Sequence, residues 1–543
     1  MTRRVNRRGF LRTSAGMAAV GLAAGGPGMT QQAGSEPADI RRLRQEGRRK
    51  TRRIIYNDDG DELIYSDANT PEGFLSKRLR NIAGTQVDSV FYCTGVTTAY
   101  AHLAEVGEVL GEYVEDGSGA YAVNTRDNIR ALQRAGHDVL ELAVDFCHTE
   151  GLEVFFSHRI NDIHDTFTPW LVSRWKREHP ECLMGTREEG AKAGGGNSPR
   201  HWWSALDFEK PEVLDYLVAI TQDVCERYDI DGVEIDYFRS PMFFKPNLDF
   251  EPATDEQVDV LTGFQRRLRQ MTHGTGAKRG RPILMATRVP ATPGACRHVG
   301  IDMARWLAED LLDLLPVGGG YVPFTEPVDE ITALAHSHGI QVYPTISASG
   351  MRGREGGYGT QEAWRGAAAN MWRRGADGIY TFNIFPPAPD ARFSQMGSPE
   401  TLQGLSKLFV IDNVACLEGD LVQGIEQSQI LPASVPDDGR AAALVLPIGD
   451  DIPAAAARGA VESLSLRVQI SDASYLDAVE LRFNGKTPSA PKLESEGAWL
   501  NFEPAAEDFR PGDNHIELRV LRPRAEDDAH LQVLSVEAEV VYG

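Results

Sequence analysis

Residues 228–241 read Tyr-Asp-Ile-Asp-Gly-Val-Glu-Ile-Asp-Tyr-Phe-Arg-Ser-Pro. Within them Val233 and Ile235 alternate with Glu234 and Asp236, the period of a strand that sends its two sets of side chains to opposite faces. Aliphatic residues on one face pack against helices. The carboxylates on the other face need a partner, water or a function, because an unpaired charge in a core is costly. Two acids on one face also repel, which raises the pKa of one of them, as acid/base chemistry requires.

Working outward, short β-rich runs recur on both sides of this stretch and alternate with amphipathic helical segments. That is the pattern of βα units around a parallel sheet. The eight runs are DSVFYCTG (88–95), LEVFFSH (152–158), WSALDF (203–208), GVEIDYF (232–238), ILMATRV (283–289), PVGGGYV (316–322), QVYPTIS (341–347) and GIYTFNIF (378–385). Helices are expected at 125–150, 211–228, 255–271, 327–337 and 361–374; glycines at 151, 339 and 375 suit the left-handed turn that ends a helix. Ser398-Pro399-Glu400 starts a further helix running to 410, with an N-cap serine and an N1 proline. Eight such units predict a TIM (β/α)8 barrel, an α/β fold, with insertions at 160–202 and 239–254 that lengthen it beyond the ~250 residues typical of the fold.

After about residue 425 the texture becomes strict alternation: Leu464, Leu466, Val468 and Ile470; Val479, Leu481 and Phe483; Ile516, Leu518 and Val520; Val533, Val536, Ala538 and Val540. Asn484-Gly485 and Pro511-Gly512-Asp513 mark turns between these runs. The expected organisation is a leader at 1–30, a linker and lead-in at 31–84, the barrel at 85–424 and an all-β sandwich at 425–543. The sandwich would serve as a structural cap or a carbohydrate-binding accessory.

The leader carries five arginines in its first twelve residues, then a small-residue run at 13–26 with no acid, which is the plan of an export signal. Arg7-Arg8-Gly9-Phe10-Leu11-Arg12 resembles the twin-arginine motif. That resemblance implies folding before export by the twin-arginine translocase and a periplasmic or extracellular destination. No later run approaches the ~20 apolar residues of a membrane span. The chain of 543 residues has a formal charge of −22, or about −27 without the leader's arginines, which disfavours a nucleic-acid partner held through phosphates. Its six cysteines (93, 147, 182, 225, 296 and 416) form no C-x-x-C pair, so neither a zinc ribbon nor a redox dithiol is written here.

In a barrel of this kind chemistry sits at the C-terminal strand ends. Asp236 and Glu234 head the candidates, although Glu234 could instead pair with a barrel arginine such as Arg159 or Arg288. The motif DGVEIDYFRSP, with WSALDFEKPEVLDYL (203–217), GLEVFFSHRINDIHD (151–165) and GADGIYTFN (375–383), resembles the bacterial family 10 glycosyl hydrolase-like barrel proteins. The fourth strand is also similar to the D-G-x-D-x-D-x-E run of family 18 chitinases, but Phe238 stands where their catalytic glutamate would be.

The resemblance implies hydrolysis of a glycosidic bond in a poly- or oligosaccharide, a reaction that usually needs two carboxyl groups across the scissile bond. Asp236 is the expected nucleophile or base, Glu326 beyond the sixth strand the expected acid, and Glu234 the reserve. Sugar contacts are expected from His158, Arg159, Asn161, Asp162, His164, Trp203, Asp207, Tyr237, Arg239, Arg288, Tyr321, Tyr343 and Asn383. No cofactor is expected. Two other readings stay open: a glycan-binding barrel without catalysis, and a metal-dependent hydrolase or lyase in which His158, His164 and an acid of the 158–165 run converge on one point.

Overall fold

Eight parallel strands close into a barrel in which each strand lies beside its neighbours in the chain. They are β1 (Ile54–Asp58), β2 (Val87–Tyr92), β3 (Glu153–Arg159), β4 (Gly232–Asp236), β5 (Leu284–Arg288), β6 (Leu314–Val317), β7 (Gln341–Ile346) and β8 (Ile379–Thr381). The computed structural model describes residues 36–543 except 116, 194–198, 320–323, 350, 353–356, 412, 415–429 and 523–529. The leader, Tyr321 and Cys416 therefore lie outside the described residues.

Two strand assignments need correction, and they offset each other. WSALDF is no barrel strand: Leu206 makes only an isolated bridge to Leu183, within the long insertion after β3. The missing strand is Ile54–Asp58, which pairs with β2 and β8. GVEID consequently remains fourth and the strand ending at Val317 remains sixth.

The stretch expected to be a linker is part of the barrel, which begins at residue 54 instead of 85. Helix α1 (Ala38–Arg48) buries Ile40 and Arg44, and Arg44 Nη1 bonds the buried Asp313 carboxylate at 2.8 Å. Arg269 donates to both oxygens of the same carboxylate, at 2.7 and 2.8 Å. Arg52, fully buried before β1, bonds Glu153 at 2.7 Å. Arg44 and Arg52 belong to what looks like a soluble basic run in one dimension, and the fold pairs both with acids remote in sequence.

The helix expected at 125–150 is two, α2 (Ala120–Arg134) and α3 (Val139–Thr149). Gly136, at φ 83°, ends the first, and the Asp138 side chain caps the second by accepting from the N–H groups of Leu140 and Glu141. The remaining outer helices include α4 (Pro211–Arg227), α5 (Asp255–Arg279), α6 (Asp329–Ser337) and α7 (Gln361–Arg373).

Inside the barrel, Ile55, Phe91, Phe155, Leu284, Ala286, Leu314, Tyr343, Tyr380 and Phe382 form a core of their own. This cluster sets the parity of its strands, the register of β4 with β3 and β5 sets that of β4, and residues two further along carry the same inward direction toward the C-terminal mouth. Asn57, Ser157, Arg159, Glu234, Asp236 and Arg288 follow from it.

Ser398 caps only a short helix, Pro399–Leu402, and Lys407–Ile411 forms strand β9 where the helix was expected to continue. Gly404, at φ 73°, ends the helical turn. The later strands are β10 (Ala442–Ile448), β11 (Val461–Ile470), β12 (Val479–Phe483), β13 (Lys492–Glu494), β14 (Trp499–Phe502), β15 (Gly512–Val520) and β16 (Gln532–Tyr542). They make two antiparallel sheets, β9-β16-β11-β14-β13 and β10-β15-β12, so these sheets begin at residue 407 instead of 425. Helix α7 lies directly against β9, where a side chain on Gly366 would overlap the Leu408 carbonyl, and Asn370 donates to the Pro447 carbonyl at 3.1 Å.

Candidate active site

Asp236 ends β4 with no exposed surface. Arg288, on the neighbouring strand β5 and paired in register with it, clasps the carboxylate through Nε to Oδ1 (3.0 Å) and Nη2 to Oδ2 (2.7 Å). The N–H groups of Phe238 and Arg239 also donate to Oδ1, at 3.0 and 2.9 Å, which turns the chain away from the strand. Oδ1 thus receives three donors and Oδ2 one, so the lone pairs still available belong to Oδ2. The alternative pairing of Glu234 with an arginine does not form: Arg288 takes Asp236, and Arg159 takes Asp59.

Glu234 lies one layer deeper. Its Oε2 accepts from Ser157 Oγ (2.5 Å) and Tyr380 OH (3.2 Å), while Oε1 has no hydrogen-bond partner among the described residues. Burial first, and then the charge of Asp236, push this carboxyl up to about 7 from an ordinary 4.5, against the pull of Arg288. An acid whose folded-state pKa is raised stabilises the fold fully below pH 4.5, and that contribution is lost as pH rises through about 7. Glu234→Gln removes the titration. The variant should therefore gain stability relative to the parent between pH 5 and 9, by up to about 3 kcal/mol, as read from urea unfolding at the two pH values. A difference that does not change with pH would contradict the buried placement of Glu234.

Glu326 is buried beside the end of β6, where Gly319 N–H donates to Oε1 at 3.3 Å. Gly318 adopts φ 78°, and a side chain there would overlap the Glu326 carboxyl; one on Gly319 would overlap the Phe238 ring. Arg288 Nη1 reaches the Gly318 carbonyl at 3.5 Å. Asp236 and Glu326 are thus linked through one guanidinium and one peptide group.

At the mouth, over β1 to β3, a cavity of about 320 Å³ is lined by Asp59, Asp61, Arg159, Asp162, His164 and apolar residues including Leu63 and Trp170. That is the lower end of the range for small-ligand clefts. His164 Nδ1 lies 2.7 Å from Asp162 Oδ1, and its Nε2 lies 2.9 Å from Arg239 Nη2. A guanidinium only donates, so Nε2 accepts and the proton sits on Nδ1, facing Asp162. Burial works against the Asp162 carboxylate, but His164, Arg239 and Arg159 together hold it well below the usual range. Arg239 also carries one of the N–H groups on Asp236, which links the cavity wall to the carboxylate.

Several expected sugar contacts lie elsewhere. His158 faces out of the barrel, opposite in parity to Arg159, and bonds Thr221 Oγ1 (3.0 Å) and Tyr100 OH (3.2 Å); burial lowers its pKa to about 4. It does not converge with His164 on a metal, and among the described residues no three His, Cys, Asp or Glu side chains form a metal-holding group. Asn161 clamps loops by donating to the Met242 carbonyl and accepting from Leu206 N–H. Trp203 packs on Gly190 in the insertion. Asp207, with no strand beneath it, accepts from Glu209 N–H (3.1 Å) and pairs with Lys245. Tyr237 points outward and donates to Gln265 (2.8 Å). Tyr343 is inside the barrel but at its N-terminal floor, beside Gln341 and Arg52. Asn383 sits past β8, half-buried, with Nδ2 donating to Ser349.

Asn57, Asp59 and Asp61 were not anticipated. Their signal was present, since Ile54-Ile55-Tyr56 followed by Asn-Asp-Asp-Gly-Asp has the same form as the other strand ends.

Residues 119–251 match the family described as Glycosyl hydrolase-like 10. The match spans β3 and β4 and contains Arg159, Asp162, His164, Glu234, Asp236 and Arg239. No curated protein matches the chain. Similar solved structures include α-L-fucosidase isoenzyme 2 from Paenibacillus thiaminolyticus (14% identity, 72% of this chain and 52% of that one, TM-score 0.37). Others are the PgaB (BpsB) glycoside hydrolase domain from Bordetella bronchiseptica (12%, 65% and 97%, 0.38) and chitinase ChiA74 from Bacillus thuringiensis (9%, 90% and 100%, 0.35). This chain spans about half the length of the fucosidase. The protein carries a glycosyl hydrolase-like segment that contains Glu234 and Asp236.

Proposed function

We propose that this protein is an exported glycoside hydrolase that cleaves a glycosidic bond in a poly- or oligosaccharide. The observation that carries the reading is the pair of buried carboxyl groups, Asp236 and Glu326, linked through the Arg288 guanidinium and the peptide between Gly318 and Gly319. Asp236 attacks the anomeric carbon, or takes a proton from the attacking water, through Oδ2. Arg288 and the two backbone N–H groups hold it in one orientation and leave that oxygen the less engaged. Glu326 gives its proton to the leaving oxygen. Glu234, protonated below about pH 7, is a second proton source deeper in the barrel. The cavity bounded by Asp59, Arg159, Asp162 and His164 receives a neighbouring sugar unit.

The test is release of new reducing ends from a panel of polysaccharides and aryl glycosides by the purified protein. Binding of a glycan without cleavage would favour a barrel that has kept recognition and lost catalysis.

Export rests on the leader. Among the described residues no helix is long and apolar enough to cross a membrane. A reporter fused behind residues 1–30 is expected to reach the periplasm by the twin-arginine translocase, and Arg7→Lys with Arg8→Lys is expected to retain it in the cytoplasm. Undiminished export of the double variant would remove the twin-arginine reading.

A further inference from the structure

Asn57 sits at the barrel mouth and has no part in the chemistry above. It lies two residues beyond Ile55 on β1, so its side chain shares the face that Ile55 presents to the lumen core. It has no exposed surface, and neither Oδ1 nor Nδ2 has a hydrogen-bond partner among the described residues. An amide buried with both its donor and its acceptor unmade is costly, and nearly all buried polar groups in folded proteins avoid that state. The same condition recurs around it, at Glu234 Oε1 inside the barrel, at Arg159 Nε and Asp162 Oδ2 on the cavity wall, and at Ser240 Oγ in the loop after β4. These unmade bonds lie at the ends of β1, β3 and β4; other buried polar atoms without a hydrogen-bond partner, such as those of His273, Arg279 and Thr332, lie elsewhere among the described residues.

The chemistry of the amide selects the ligand. It offers one acceptor and one donor side by side on a neutral group. A carboxylate ligand would leave Oδ1 unpaired, and a cation would leave Nδ2 unpaired. Two adjacent hydroxyl groups on a sugar ring satisfy both atoms at once. We infer that Asn57 binds a vicinal pair of neutral hydroxyls on the sugar unit held against Asp236, and is a specificity-determining contact of the reaction. This rests on the glycosidase reading above.

Asn57→Leu keeps the volume of the side chain and removes both polar atoms. It is expected to leave the melting temperature unchanged or raise it, because the unmade bonds disappear with the amide, while kcat/KM falls about 10- to 100-fold. Removing either of the two hydroxyls from the aryl glycoside that the parent cleaves should cost the parent a similar factor and the variant little more, because the partner is already gone. Unchanged kcat/KM in Asn57→Leu would overturn the inference and leave the glycosidase reading standing. A melting temperature lowered by several degrees with additive losses on the deoxy substrates would assign Asn57 a structural role and overturn it equally. Absence of any hydrolysis by the parent protein would remove the glycosidase reading, and this inference with it.

Discussion

Asp236→Asn is expected to lower kcat/KM for glycan hydrolysis by about a thousandfold or more, since a group acting on the reacting atoms is lost outright. The substitution preserves shape. The amide oxygen can keep the N–H groups of Phe238 and Arg239 that now fall on Oδ1, so the turn after β4 is retained. The amide nitrogen then faces Arg288 Nη2, donor against donor, and the charge that paired with the guanidinium is gone. Some loss of stability accompanies the loss of turnover. Circular dichroism and thermal melting separate the two: a folded variant with parental KM and almost no turnover supports the assignment. Full turnover in a folded Asp236→Asn protein would take Asp236 out of the mechanism.

Arg288→Met is expected to destabilise the protein by about 3–5 kcal/mol, the usual cost of leaving one member of a buried ion pair without its partner. Three contacts vanish together: the two bonds to Asp236 and the approach to the Gly318 carbonyl that tethers the chain leading to Glu326. Glu234 also loses the charge that held its pKa down, so its proton is retained to a higher pH than in the parent. Pairing Arg288→Met with Asp236→Leu should recover much of the stability, because both charges are then gone and the apolar surroundings of Phe238, Tyr380 and Phe382 accept the replacements. Urea unfolding of the two variants checks this. A cost below about 1 kcal/mol for Arg288→Met alone would contradict a structural role for the pair.

The barrel was legible because its strands are short apolar runs set between capped helices, and GVEID announced its inward acids through strict alternation. What misled was local resemblance. WSALDF has the length and apolar content of a strand but no helix of its own to return it to the sheet, whereas IIYND follows directly on an arginine-rich run whose partners, Glu153 and Asp313, are remote in sequence. Parity was the second limit. His158 and Arg159 differ by one position, and only the packing of Phe155 inside the barrel shows which of them reaches the mouth. The partner of Asp236 was beyond reach for the same reason. Arg288 was expected to meet a sugar, and the register of β4 against β5 places it on the carboxylate. Asp59 and Asp162 form the cavity wall through contacts between separate loops that no spacing encodes.

The most direct test is hydrolysis of the glycan panel by the parent protein beside Asp236→Asn and Glu326→Gln, each assayed with and without chelator. The account predicts cleavage of at least one substrate, lost in both variants and indifferent to chelator. Cleavage that survives both substitutions would contradict the two-carboxylate assignment, and cleavage abolished by chelator would give the chemistry to a metal.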